Sequence, residues 1–233
     1  SLLNIIPQKM IFKHNGEDIT DTIMPEDNKY VYRILKFDQG FNLQYTKPLV
    51  VNISDTNYIG LDMFFNDMSC DTEGNIYISG HAVLAYPDNV VPSTPVDLEL
   101  NNGNHIYFHS TTSTGTTCQG FVMKLNSNGD ILWIEHSKNY GEYSICDFYS
   151  LLLDEDSDNI YMTGTAFPVA PLFPGNFTIL GNNDTVFNNY NGEFSMFIKN
   201  TYIIACYDTD GNYKWYSCPN TYGCAIGGLA KYN

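Results

Sequence analysis

Two stretches of this chain carry oxygen-bearing side chains at alternate positions. Asp154, Asp156 and Asp158 lie in Asp-Glu-Asp-Ser-Asp-Asn; Asp208, Asp210 and Asn212 lie in Asp-Thr-Asp-Gly-Asn. Alternating oxygens on a tight loop can converge on calcium, which takes roughly six to eight of them at about 2.3–2.6 Å. The bidentate Glu that completes an EF-hand loop is missing from both. The same residue types also build turns without a metal, because Asp and Asn side chains bond the nearby backbone. Asn126-Ser127-Asn128-Gly129 aligns with the second stretch, lacks its acids and still reads as a turn. Two readings stand side by side: calcium at these six residues, or no cofactor.

Other candidate chemistry is sparser. His105 and His109 sit four apart, but Ile106-Tyr107-Phe108 between them reads as strand. Four strand residues span about 13 Å, too far for one ion. His14, His81 and His136 are scattered, and His81 aligns with Thr165. Asp62 and Asp67 could serve as a glycosidase pair, a chemistry that needs only two carboxylates at the right separation. Sequence does not show that separation, and turn or surface carboxylates are the preferred reading. No nucleophile elbow, P-loop, dinucleotide fingerprint or zinc-protease motif occurs. Tyr107 and Tyr190 fall in long irregular stretches and are candidates for stacking on a sugar or anchoring a protein. Asn52, Asn176 and Asn183 head N-glycosylation sequons. Six cysteines (Cys70, Cys118, Cys146, Cys206, Cys218, Cys224) make no CxxC pair, and both disulfides and buried thiols fit them.

The elements that must position these residues recur along the chain. Asn75-Ile76-Tyr77-Ile78-Ser79-Gly80 returns as Asn159-Ile160-Tyr161-Met162-Thr163-Gly164. Each copy is followed by a hairpin pattern. Phe121 to Leu125, a polar turn ending at Gly129 and Ile131-Leu132-Trp133 return as Tyr202 to Tyr207, a turn ending at Gly211 and Tyr213-Lys214-Trp215. An earlier hairpin copy runs from Arg33 through a turn at Gly40 to Tyr45, with Gly40 as the residue at positive φ. Met63 to Met68 and Phe148 to Leu153 precede the two glycine-closed strands. Each unit is four short antiparallel strands, and such units arranged around an axis are propeller blades. The fold expected is all-β: a β-propeller of four-stranded antiparallel blades, partial or part of a larger one. Residues 1–29 form an N-terminal segment, a strand of a preceding blade; residues 30–233 hold about two full blades and a partial one. Two Pro-bearing excursions, about 85–118 and 168–197, carry aromatics and are expected to be ordered at one edge of each unit.

Composition narrows the function. The chain has 233 residues, 43% of them hydrophobic and 15% aromatic, which suits pleated sheet and a real core. A formal net charge of −15 disfavours nucleic acid, whose binding depends on Lys and Arg. No apolar run approaches the ~20 residues of a membrane helix. Starting at Ser1 without an apolar leader, the chain reads as processed or as part of a longer polypeptide.

Asp71-Thr72-Glu73-Gly74-Asn75-Ile76-Tyr77-Ile78-Ser79-Gly80 and Asp154 to Gly164, with Phe173-Pro174-Gly175-Asn176-Phe177 and Gly120-Phe121-Val122-Met123-Lys124-Leu125, resemble the bacterial-type β-propeller repeat known as the SBBP family. In the second copy Asp158 replaces the first glycine and the turn is one residue longer. The resemblance spans roughly residues 30–233 and implies a propeller on an exported or surface-exposed protein. It carries over no catalytic residue. The expected function is structural or binding work on the surface of a cell, filament or virus particle, without catalysis. Expected partners are proteins, copies of the chain itself or glycans. The alternative is a carbohydrate-active enzyme on a propeller scaffold.

Overall fold

The computed structural model describes residues 8–14, 17–23, 29–53, 60–85, 96–100, 105–108, 116–140, 144–168, 177–180, 184–187, 201–217 and 228–230. No helix occurs among them, so none is long and apolar enough to cross a membrane. In chain order the strands are β1 (Gln8–His14), β2 (Glu17–Ile23), β3 (Lys29–Phe37), β4 (Leu43–Ile53), β5 (Gly60–Cys70), β6 (Ile76–Ala85), β7 (Val96–Leu100), β8 (His105–Phe108) and β9 (Thr116–Leu125). They continue as β10 (Ile131–His136), β11 (Lys138–Tyr140), β12 (Ser144–Asp154), β13 (Asn159–Pro168), β14 (Phe177–Leu180), β15 (Asp184–Phe187), β16 (Thr201–Asp208) and β17 (Tyr213–Ser217). The chain divides into two units. One comprises Ser1–Ser54 with Asp97–Ile106, the other Asp55–Val96 with Tyr107–Asn233.

In the first unit, β1 and β2 form an antiparallel hairpin from Gln8↔Ile23 to His14↔Glu17. A separate four-stranded sheet has the order β3-β4-β7-β8. Its β7 comes from the first long excursion and pairs with the end of β4, Val51↔Leu100 to Ile53↔Leu98. Asn52 therefore lies on a strand paired on both sides, with Lys29 and with Glu99.

The second unit is built on two four-stranded antiparallel sheets, β5-β6-β9-β10 and β12-β13-β16-β17. One parallel pair, Ile145↔Cys118, joins them. The two sheets match in detail. The first strand pair of each is irregular at one place, Phe65/Asp67 in one and Phe148/Ser150 in the other. The last pair is irregular at Ile131/Trp133 and at Cys206/Tyr207. Neither strand closes at its glycine as the sequence suggests: β6 and β13 run on past Gly80 and Gly164 to Ala85 and Pro168, and the bulges explain why glycine stands in the middle of each. Bulging swings a carbonyl of the partner strand inward. A Cβ at Gly80 would meet the Phe64 carbonyl oxygen at 1.9 Å, and one at Gly164 the Asp147 carbonyl oxygen at 2.0 Å. The second long excursion supplies β14 and β15, which add to β11 as the sheet β11-β14-β15.

Apolar alternation makes both faces of these sheets bury side chains. On β9, Val122 faces one way and Phe121, Met123 and Leu125 the other, and all four are fully covered. The main core lies between the two sheets. Tyr77 and Val122 of the first meet Ile160, Met162, Ile203, Ala205 and Tyr207 of the second, with Cys146, Phe148 and Leu151 beside them. The described residues do not close a ring.

Four turns share one wiring. At Asp38, Asp71, Asn126 and Asp208 the side-chain oxygen accepts the backbone N–H four residues on, at 2.9, 2.7, 2.9 and 2.7 Å. The residue three positions on donates its N–H to the first residue's carbonyl and takes positive φ: Phe41, Gly74, Gly129 and Gly211. This corrects the expectation for Gly40. The left-handed residue of that turn is Phe41, because counting starts at the capping Asp38, and Gly40 falls one place short. Asp158, at φ 53, takes the matching place in the longer turn after Asp154.

Candidate functional site

The polar chemistry of the second unit concentrates on the seam between its two sheets. The β5 bulge aims two adjacent side chains across it. Asn66 donates its amide to the Phe148 carbonyl at 2.7 Å, and Asp67 accepts the Leu151 N–H at 2.8 Å and the Ser150 hydroxyl at 3.2 Å. One donor and one acceptor replace the ladder bonds that β12 would otherwise offer to an edge strand. At one end of the seam, Thr72 donates its N–H and hydroxyl to Glu155, at 2.9 and 2.8 Å. From β9 and β10, Lys124 and the Trp133 indole both donate to the Thr209 carbonyl, each at 3.1 Å.

His81 is the most chemically capable residue here. Its Nδ1 lies 2.6 Å from the Asp147 carboxylate, and its ring stacks on Phe64 with centroids 4.6 Å apart. Asn66 also donates to Asp147 at 3.0 Å. An imidazole oriented by a carboxylate is the base half of many hydrolytic sites. The nearby thiols do not supply the nucleophilic half. Burial pushes the Cys146 thiol up to about 12 and Cys118 higher still, which keeps both protonated and inert. Asp67 is committed to holding β12. Exposed Phe64, Phe65 and Tyr149 rim the cluster.

The acidic turns lie at one end of the second sheet and adjoin one another. Asp158 accepts a hydrogen bond from the Thr209 hydroxyl, and Lys214 donates to the Asp158 carbonyl at 3.1 Å and to Asn159 at 2.6 Å. Asp154 accepts the Ser157 hydroxyl at 2.6 Å. Asp208 is occupied by its own turn, accepting the N–H groups of Asp210 and Asn212 and the Asn212 side-chain amide. Asp156 and Asp210 are exposed. Among the described residues no group of three or more His, Cys, Asp or Glu could hold a metal ion.

The turn aspartates are tuned as turn makers. Partial burial pushes Asp71 up. The Asn75 side chain and N–H, the Tyr77 hydroxyl and Lys124 outweigh it and leave the carboxyl below its usual range. Asp208 is lowered in the same way, with Asn212, Asp210 and Lys214 outweighing burial. Burial, reinforced by Asp71, pushes the Tyr77 phenol well up, so it stays a hydrogen-bond donor to Asp71.

Compared with models of known protein families and with curated proteins, the chain matches none.

Of the other residues marked out by sequence, Tyr107 falls on β8 and Asn52 on β4. Tyr190, Asn176, Asn183, His109, Cys218 and Cys224 lie outside the described residues. Cys70 is exposed, whereas Cys118, Cys146 and Cys206 are buried. Sequence reasoning passed over Asn66 and Asp147 and set His81 aside as one of three scattered histidines. Their one signal is departure from the repeat: His81 stands where the second copy has Thr165, and Asn66 where it has Tyr149.

Proposed function

We propose that this chain is a stretch of β-propeller built from SBBP-type repeats. Its work is structural or binding, on the surface of a cell, filament or virus particle, through contacts to protein partners, copies of itself or glycans. Nucleic acid and membrane insertion play no part. One observation carries the reading. Two successive sheets of equal strand order, bulges and turns bury a common core, and their polar seam contacts, such as Thr72 to Glu155, join aligned positions of the two copies. Sheets that small depend on neighbours for burial, which is the logic of propellers and other repeat stacks. The excursions support a binding role, since each contributes strands that pair with the framework, β7 with β4 and β14 with β11.

The enzyme reading draws on the seam's carboxylates, Asp67 and Asp147, with Phe64, Phe65 and Tyr149 around them. Both acids are already spent on Leu151 and His81. The acidic turns serve as turns and need no cofactor. Three measurements test this. Aryl glycosides incubated with the protein are expected to stay intact; hydrolysis that disappears in Asp147→Asn would overturn the assignment. Immobilised glycans and the protein itself are the binding probes, and binding is expected to one of them. Melting is expected to be equal in chelator and in excess calcium, because a native-state ligand would raise the midpoint.

A further inference from the structure

The polar cluster around His81 has atoms that the seam does not use. Phe64 and His81 are register partners on the first sheet, and Asp147 and Thr165 are register partners at the matching places of the second. Along the same strands other matching places carry like residues, Tyr77 with Tyr161 and Ser79 with Thr163. Here they carry unlike ones. One oxygen of Asp147 is spent on the seam: Oδ1 faces the His81 Nδ1 at 2.6 Å and accepts the Asn66 amide at 3.0 Å. The other oxygen, Oδ2, and the His81 Nε2 make no hydrogen bond among the described residues. Neither side chain is sealed from solvent, at 14% exposed for Asp147 and 16% for His81.

Aromatic rings stand beside both residues. Phe64 lies flat on the imidazole, with an interplanar angle of 16°, and is still 47% exposed. Tyr149, 41% exposed, ties its hydroxyl at 2.7 Å to Thr165, the register partner of Asp147. Burial, with Asp147 adding to it, pushes the phenol up, so the ring stays neutral. Both rings are held in place before a ligand arrives, which lowers the cost of binding. The two unused atoms set the ligand's chemistry. A carboxylate oxygen only accepts; an imidazole nitrogen accepts when neutral and donates when protonated. A hydroxyl suits both states, because it donates or accepts as needed. An ammonium group only donates, and imidazolium repels it. A ring with adjacent hydroxyls and a C–H face answers the whole arrangement, the hydroxyls for the two atoms and the face for an aromatic ring.

We propose that Phe64, His81, Asp147 and Tyr149 form a binding site for a neutral pyranose unit of a glycan. Asp147 Oδ2 and His81 Nε2 take adjacent hydroxyls, and the exposed aromatic rings take the C–H face of the sugar. The proposal rests on the glycan branch of the function proposed above and gives that branch a place.

Methyl glucoside, methyl galactoside and methyl mannoside are titrated into the full chain while the histidine ring signals are followed by NMR. The His81 signal is the one lost in His81→Gln. At least one of the three sugars is expected to shift that signal saturably and to leave the other histidines unmoved. In Asp147→Asn and in Tyr149→Ala, each shown to fold by its melting curve, affinity is expected to fall about tenfold or more. No shift with any of the three sugars overturns the proposal, and a shift from butylamine alone overturns it in favour of an amine. Unchanged affinity in a folded Asp147→Asn or Tyr149→Ala chain overturns it as well. Immobilised glycans separate this failure from that of the broader reading. Retention that is undiminished in Tyr149→Ala sinks the site and leaves the glycan reading standing; retention on no glycan removes both.

Discussion

Asp38, Asp71, Asn126 and Asp208 do one job at four places: each caps a turn whose fourth residue is left-handed. Asn126 does it without a charge, so the carboxylate itself is dispensable at neutral pH. The charge matters to pH dependence. Asp71 and Asp208 are more acidic in the folded chain than in the unfolded one. Their stabilisation is present above about pH 4, the ordinary carboxyl range, and fades as pH falls through the lower folded values. A chain with Asp71→Asn and Asp208→Asn should lose less of its urea midpoint than wild type between neutral and strongly acid pH. A second expectation concerns thiols. With burial holding Cys118 and Cys146 protonated, iodoacetamide on the native chain should label Cys70 and leave those two unmodified, read by peptide mass spectrometry. A third concerns hydroxyls. Ser79 Oγ and Thr163 Oγ1, at matching positions, are buried without a hydrogen-bond partner. Removing such a group can be nearly neutral or stabilising. Ser79→Ala and Thr163→Val should each change stability by less than about 1 kcal/mol, and a large loss would reveal a bond at those hydroxyls.

At the scale of elements, glycine stands mid-way along the second strand of each sheet because the bulge opposite leaves no room for a Cβ. Gly80→Ala and Gly164→Ala should each cost on the order of 3 kcal/mol or more in chemical denaturation, since the obstacle is backbone. Hairpins, turns and the second strands as far as their glycines were legible in the sequence, because period-two alternation and Asx turns are local physics; the continuation of those strands to Ala85 and Pro168 was not. Gly40 misled because a turn is counted from its capping residue, and the first copy is one residue shorter before its glycine. The strands inside the excursions were not legible in their destination. That β7 extends β4 and β14 extends β11 depends on pairing across many residues, which local pattern does not encode. The seam residues escaped for the same reason. Asn66 is an unremarkable surface amide until a bulge turns it toward a carbonyl 82 residues away.

For the second unit as a whole, the claim is that one sheet covers the next. The seam is stitched by few side chains, and breaking a buried pair leaves the other partner unsatisfied. Asp67→Ala strands the Leu151 N–H and should destabilise by about 1–3 kcal/mol, whereas Asp210→Ala, exposed in a turn, should change stability by less than about 0.5 kcal/mol. Both tryptophans report directly on coverage, because they occupy equivalent places, Trp133 bonded to the next turn and Trp215 exposed. The decisive measurement is acrylamide quenching of the two single-tryptophan chains, Trp215→Phe retaining Trp133 and Trp133→Phe retaining Trp215. Trp133 should be shielded and blue-shifted and Trp215 open to the quencher; equal quenching of the two would contradict the stacked arrangement.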